Sequence, residues 1–277
     1  TMLDTVGAGF IIRRGPVSVF HVKQMDESTG VNLGRTGLDE TSVTAAQYAF
    51  KNDSMSITPQ ISYLQAGSDE TLLGLAVNAA AKLGAINLKG ELDYFSGEMA
   101  KVGTVKGADR KGLQLYLDAS TAVSDTVTVG GIVLYAKGQD GGDDQVTYMD
   151  MPVFAGFSPL TYGKHSADFP NAYEYLGALD PFEAGGAGTN AGMIGLSGYA
   201  NVTLSDDLKS QFAAAYIQSE DDAVADLSGF VLNASCTYAL LKNTSLNAHV
   251  NFGSFEDNDT NTDLDVLAAI TSLVVKF

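Results

Sequence analysis

Apolar and polar positions alternate with a period of two along most of this chain. The clearest stretch is 86–94, where Ile86, Leu88, Gly90, Leu92 and Tyr94 share one face and Asn87, Lys89, Glu91 and Asp93 the other. The same dyad sets Leu113, Leu115, Leu117 and Ala119 against Gln114, Tyr116, Asp118 and Ser120. It also sets Leu246, Ala248, Val250 and Phe252 against Asn247, His249 and Asn251, and groups Phe230, Leu232, Ala234, Cys236 and Tyr238 away from Asn233. Such alternation predicts half-buried β-strands rather than helices. Thirteen strands are expected, centred near residues 9, 20, 46, 60, 77, 91, 117, 132, 198, 214, 233, 250 and 271.

Between the strands, tight polar turns at 51–53, 83–85, 124–126, 205–207 and 242–244 alternate with loops. The loops fall near 26–40, 98–110, 139–190, 220–227 and 255–264, with a short one at 67–70. Short connections on one side and longer ones on the other are the layout of a transmembrane antiparallel up-and-down β-barrel, an all-β fold with a single domain over 1–277. Parity complicates this layout. Thirteen strands make the first and last run the same way, whereas a bacterial single-chain barrel has an even number. The expectation is therefore 14 or more strands, with a segment preceding residue 1, in preference to 12 strands with 1–13 outside the barrel. The opening "TMLDTVGAGF" carries neither the basic and apolar regions nor the cleavage site of an export signal.

Composition narrows the function classes. No apolar run approaches the roughly 20 residues of a membrane-crossing helix. A single cysteine, Cys236, allows no internal disulfide, and it falls on an apolar face where a small hydrophobe suffices. A net charge of −17 excludes a nucleic-acid partner and makes cations the natural small ones.

The last strand keeps Leu267, Ala269, Leu273, Val275 and Phe277 on one face. That face meets lipid in a barrel, and pairing of the strand's edges removes the aggregation hazard of a bare apolar end. An alternating terminal strand closing on phenylalanine resembles the C-terminal insertion signal of Gram-negative outer-membrane barrels, with Leu273, Val275 and Phe277 at the matching positions. Across nearly the whole chain the hairpin pattern resembles the porin-like proteins of sulfate- and metal-reducing bacteria. That resemblance implies an outer-membrane location and passive diffusion. Outer-membrane lipid and lipopolysaccharide, the barrel-assembly machinery and small solutes or cations are then the expected partners. A homo-oligomer is a further candidate.

Charges on the polar face belong in water, because a lipid-facing Lys costs about 2–4 kcal/mol at mid-bilayer. Lys89, Glu91, Asp93, Gln114, Tyr116, Asp118, Asn233, Asn247 and His249 are therefore expected to line a lumen. Structural ion pairs filling a narrow barrel are the alternative, and 14 or more strands favour the pore. The 139–190 segment is too long for an ordinary connection and holds four of the six prolines with many aromatic residues. It reads equally as an inward constriction loop or plug, with Asp150, Lys164, His165, Asp168 and Glu174 at the narrowing, or as an external cap or a contact with a neighbouring protomer.

The acidic loops 138–145, 219–226 and 255–263 lack an EF-hand spacing and read as solvated surface. Neither GxSxG nor HExxH occurs around His21, His165 or His249, so no catalytic, metal or cofactor site is assigned. The expectation is a passive porin for small hydrophilic solutes or ions with a cation preference. A structural or interaction barrel closed by its long loop is the competing class, and a barrel hydrolase the third.

Overall fold

The structure is a computed structural model that describes residues 6–25, 41–66, 70–98, 109–138, 145–147, 192–222 and 226–276. The chain first lays down β1 (Val6–Arg14), β2 (Val17–Met25), β3 (Thr41–Tyr48), the short β4 (Phe50–Lys51) and β5 (Met55–Ala66). Next come β6 (Glu70–Leu83), β7 (Ile86–Glu98), β8 (Asp109–Ala122), β9 (Val127–Ala136) and the short β10 (Gln145–Thr147). The last five are β11 (Met193–Thr203), β12 (Leu208–Gln218), β13 (Leu227–Leu241), β14 (Thr244–Asp257) and β15 (Thr262–Val275).

All strands except β4 and β10 follow one another in sequence order, each antiparallel to the next, as the thirteen predicted strands require. β4 continues the ladder of β3 beside β5. β1 and β15 end the path, and the sheet is not closed between them. Strict alternation over thirteen strands makes these two run in the same direction.

The tight turns are held by their own side chains. Asn52 Oδ1 accepts the amides of Ser54 (3.0 Å) and Met55 (2.8 Å), and Ser124 Oγ accepts that of Val127 at 3.1 Å. Ser205 Oγ accepts the amide of Leu208 at 3.1 Å. Short polar side chains thus recapture amides that the ladder leaves unpaired. At the β6–β7 turn Gly84 takes φ 63°, a conformation open to glycine at little cost.

Two expectations change. The predicted loop 255–264 is a four-residue turn, because β14 runs on to Asp257 and β15 restarts at Thr262. Asp257 accepts the amides of Asp259 and Thr260 and the Thr260 hydroxyl, which closes the turn within Asn261 at φ 52°. The 139–190 segment contains a strand. β10 lies within it, parallel to Asp109–Lys111 of β8, and extends that ladder beyond the point where β9 stops.

The two faces of the sheet are inverted relative to a protein in water. Leu92, Tyr94, Leu117, Leu232 and Val250 are exposed, while Glu91, Asp93, Gln114, Asp118 and Asn251 are buried. Water would not tolerate so continuous an apolar surface without a partner. A bilayer supplies that partner, and antiparallel pairing satisfies the backbone within it.

Candidate functional site

Strand register assembles a polar and an apolar half on the buried face. Lys89 of β7 stands opposite Asp118 of β8, Glu91 opposite Tyr116, and Asp93 opposite Gln114. On the far side of β8, Asp118 faces Ile132 and Tyr116 faces Leu134 of β9. Opposed residues of an antiparallel pair share a face, so the acidic residues and the first apolar ones are direct neighbours.

Asp118 is well compensated. Lys89 Nζ lies 3.5 Å from Asp118 Oδ2, although the Lys89 side chain is 60% exposed. Tyr199 of β11 donates its hydroxyl to Asp118 Oδ1 at 2.8 Å. To make that bond the phenol crosses β9 directly over Gly130, its register partner. A Cβ on Gly130 would collide with the Tyr199 ring, so the missing side chain is what opens the route.

Glu91 and Asp93 have no such arrangement. They are 3% and 0% exposed, two residues apart on one strand face. Asn78 Nδ2 donates to Glu91 Oε2 over 3.4 Å, a long bond. Glu91 Oε1 and both Asp93 oxygens have no hydrogen-bond partner among the described residues. Buried carboxyl groups without donors or a counter-charge are costly.

Beyond β8 the same face turns apolar. Tyr116, Ile132, Leu134, Ala215, Ile217 and Val231 belong to one buried cluster that ends on Phe255. Apart from Tyr116, sequence alternation missed these residues, because β9 and β12 are apolar on both faces. Val133 and Tyr216, for example, are exposed beside the buried Ile132 and Ile217. Tyr199 was missed as well, and its only sequence signal is the Gly130-Gly131 pair that its strand faces.

The other predicted lining residues also lie on the buried face. Asn233 donates to Asn251 Oδ1, Asn247 lies 3.5 Å from Ser272 Oγ, and the half-buried His249 stands opposite Ile270. Asp150, Lys164, His165, Asp168 and Glu174 lie outside the described residues. Leu273 and Val275 are exposed on the apolar face of β15, and Phe277 lies outside the described residues. His21 is bonded to Thr44 Oγ1 at 2.8 Å, and Cys236 is free on the outward face of β13.

The acidic loops serve their own backbone. Glu220 accepts the Tyr135 hydroxyl and the Gly138 amide, both at 2.8 Å, and Asp259 accepts the amide of Asp226 at 3.0 Å. Among the described residues no group of three His, Cys, Asp or Glu is placed to hold a metal ion.

Comparison with known proteins finds no family profile and no curated protein that matches the chain. Solved structures do match. Over 99% of this chain and 73% of its own, OccK10 (OpdN) of Pseudomonas aeruginosa superposes with TM-score 0.60 at 12% identity. A BenF-like porin from Pseudomonas fluorescens Pf-5 gives 0.59 at 13% identity, over 98% of this chain and 68% of that one. OpdK of Pseudomonas aeruginosa, solved with vanillate, gives 0.56 at 11% identity over 97% and 69%. The chain thus spans about two thirds of the length of the solved structures that it resembles. Its fold is that of the porin barrels.

Proposed function

We propose that this chain forms a passive diffusion channel of the bacterial outer membrane for small hydrophilic solutes or ions, with a preference for cations. The observation that carries the reading is the inversion of the sheet. Leu92 and Leu117 are exposed, while Glu91, Asp93 and Asp118, one position away, are buried. An apolar exterior suits lipid, and a charged interior has a use when ions or polar solutes share it. The porin-barrel fold and the resemblance of the hairpins to the porin-like proteins of sulfate- and metal-reducing bacteria support the same role.

Cation preference follows from the charges themselves. Among the described side chains, three carboxyl groups, Glu91, Asp93 and Asp118, stand on the buried face of β7 and β8 with one ammonium group, Lys89. Focused in a low-dielectric wall, such an excess raises the local concentration of cations. Vanillate, bound in OpdK, is an aromatic carboxylate that this acidic patch would repel. In this reading the outward face meets outer-membrane lipid and lipopolysaccharide. The terminal Leu273, Val275 and Phe277 would address the chain to the assembly machinery, and Asp150, Lys164, His165, Asp168 and Glu174 would narrow the passage.

A planar bilayer under a potassium chloride gradient tests the proposal. Steady single-channel current with a reversal potential favouring potassium is expected. An anion-favouring potential would remove the cation preference. A folded, inserted protein that carries no current would leave the structural or interaction barrel as the better reading.

A further inference from the structure

We propose that Glu91 and Asp93 form a binding subsite for an organic cation, a primary ammonium or guanidinium group carried on an apolar body. This deepens the diffusion reading above and rests on it. The first observation is an unmet demand. Asp93 is fully buried with neither oxygen hydrogen-bonded among the described residues, and Glu91 beside it lacks a partner at Oε1. Asp118, on the next strand, holds both a cation and a hydroxyl donor. The same wall therefore contains one carboxyl group with a counter-charge and two that have none among the described residues.

The missing partner has a defined chemistry. Positive charge with several N–H donors answers the carboxyl pair, and ammonium and guanidinium groups supply both together. A bare metal ion fits less well, since no group of three ligating side chains exists among the described residues. The second observation is what adjoins the pair. Glu91 is opposite Tyr116, and Tyr116 is opposite Leu134, at the edge of the apolar cluster. Two strand spacings, roughly 10 Å, separate the acid from the apolar wall. A small arylalkylammonium ion spans that distance, with its head on the carboxyl pair and its ring against Tyr116 and Leu134.

Calorimetry on the folded full chain in detergent micelles tests this, with phenethylammonium chloride as the probe and sodium phenylacetate as the oppositely charged control. Phenethylammonium is expected to bind, phenylacetate not. The E91Q/D93N variant should bind the cation roughly ten-fold or more weakly, the scale of a lost charged hydrogen bond. Leu134→Asn should erase the advantage of phenethylammonium over ethylammonium while ethylammonium binding persists. Equal affinity in wild type and E91Q/D93N, or equal binding of phenylacetate, overturns the subsite. If the double variant does not fold, the single variants Glu91→Gln and Asp93→Asn carry the same expectation at smaller size. Calorimetry needs no open pore, so the two readings fail separately. Conductance without this binding removes the subsite alone, and binding with a silent bilayer removes the diffusion channel alone.

Discussion

Asp257, at the rim, accepts hydrogen bonds from two backbone amides and a hydroxyl, whereas Glu91 and Asp93, on the buried face, have one long bond from Asn78 between them. Solvent could have served the first group, and the protein serves it anyway because the turn needs closing. Solvent reaches the other two least, and the described protein leaves them nearly unserved. Carboxyl groups that hold structure are thus separated from carboxyl groups that the described protein leaves short of donors. The acidic composition of the chain contains both kinds and cannot by itself tell them apart.

The strongest way to break this comparison is to move a charge across the sheet. Leu92 lies between Glu91 and Asp93 but faces outward, 47% exposed. Leu92→Lys is expected to cost about 2–4 kcal/mol of folding stability in lipid vesicles, measured by urea titration, because an ammonium group there faces the bilayer. Glu91→Lys should cost far less, since the new cation stands beside Asp93. The opposite ranking would mean that the faces are assigned the wrong way round.

A smaller effect tests how Asp118 differs from its neighbours. Tyr199→Phe removes its hydroxyl donor and is expected to lower stability by about 1.5–3 kcal/mol, the range for a bond to a charged group. Gly130→Val pushes the same ring aside and should cost about 1–3 kcal/mol. Because both changes remove one contact, the double variant should lose less than the sum. Full additivity in the urea midpoints would show that Gly130 does not act through Tyr199.

Where the two faces of a strand differ in polarity, the sequence already states which is buried. In β7, β8 and β14 alternation places Lys89, Glu91, Asp93, Gln114, Tyr116, Asp118, Asn247 and His249 on one face, and the register puts them there. In β9 and β12 it is silent. Ile132 and Val133, or Ile217 and Tyr216, are adjacent apolar residues with opposite environments, and only strand pairing assigns them. The apolar half of the wall therefore could not be read. Contacts between distant strands were equally hidden, as with Tyr199 reaching Asp118 across 81 positions of sequence. The turn at Asp257 was misjudged as a long loop because its acidic residues look solvated, whereas their oxygens bond the local backbone.

The smallest effect is at that turn, beyond the apolar band. Donation from the Thr260 hydroxyl is the main influence that holds the Asp257 carboxyl below the usual range, with the amides of Thr260 and Asp259 adding to it. Since the folded state favours the ionised form, the contribution is fully present above the ordinary carboxyl value of about 3.9 and is lost as pH falls through the lowered one. Carboxyl carbon NMR should find Asp257 titrating below the ordinary carboxyl value of about 3.9. Thr260→Val should move Asp257 upward while the amide bonds hold it partly down. If the variant leaves the titration unchanged, the amides alone hold the turn. Rim and interior would then differ only in backbone geometry, which β7, with its amides committed to the ladders of β6 and β8, cannot offer to Glu91 or Asp93.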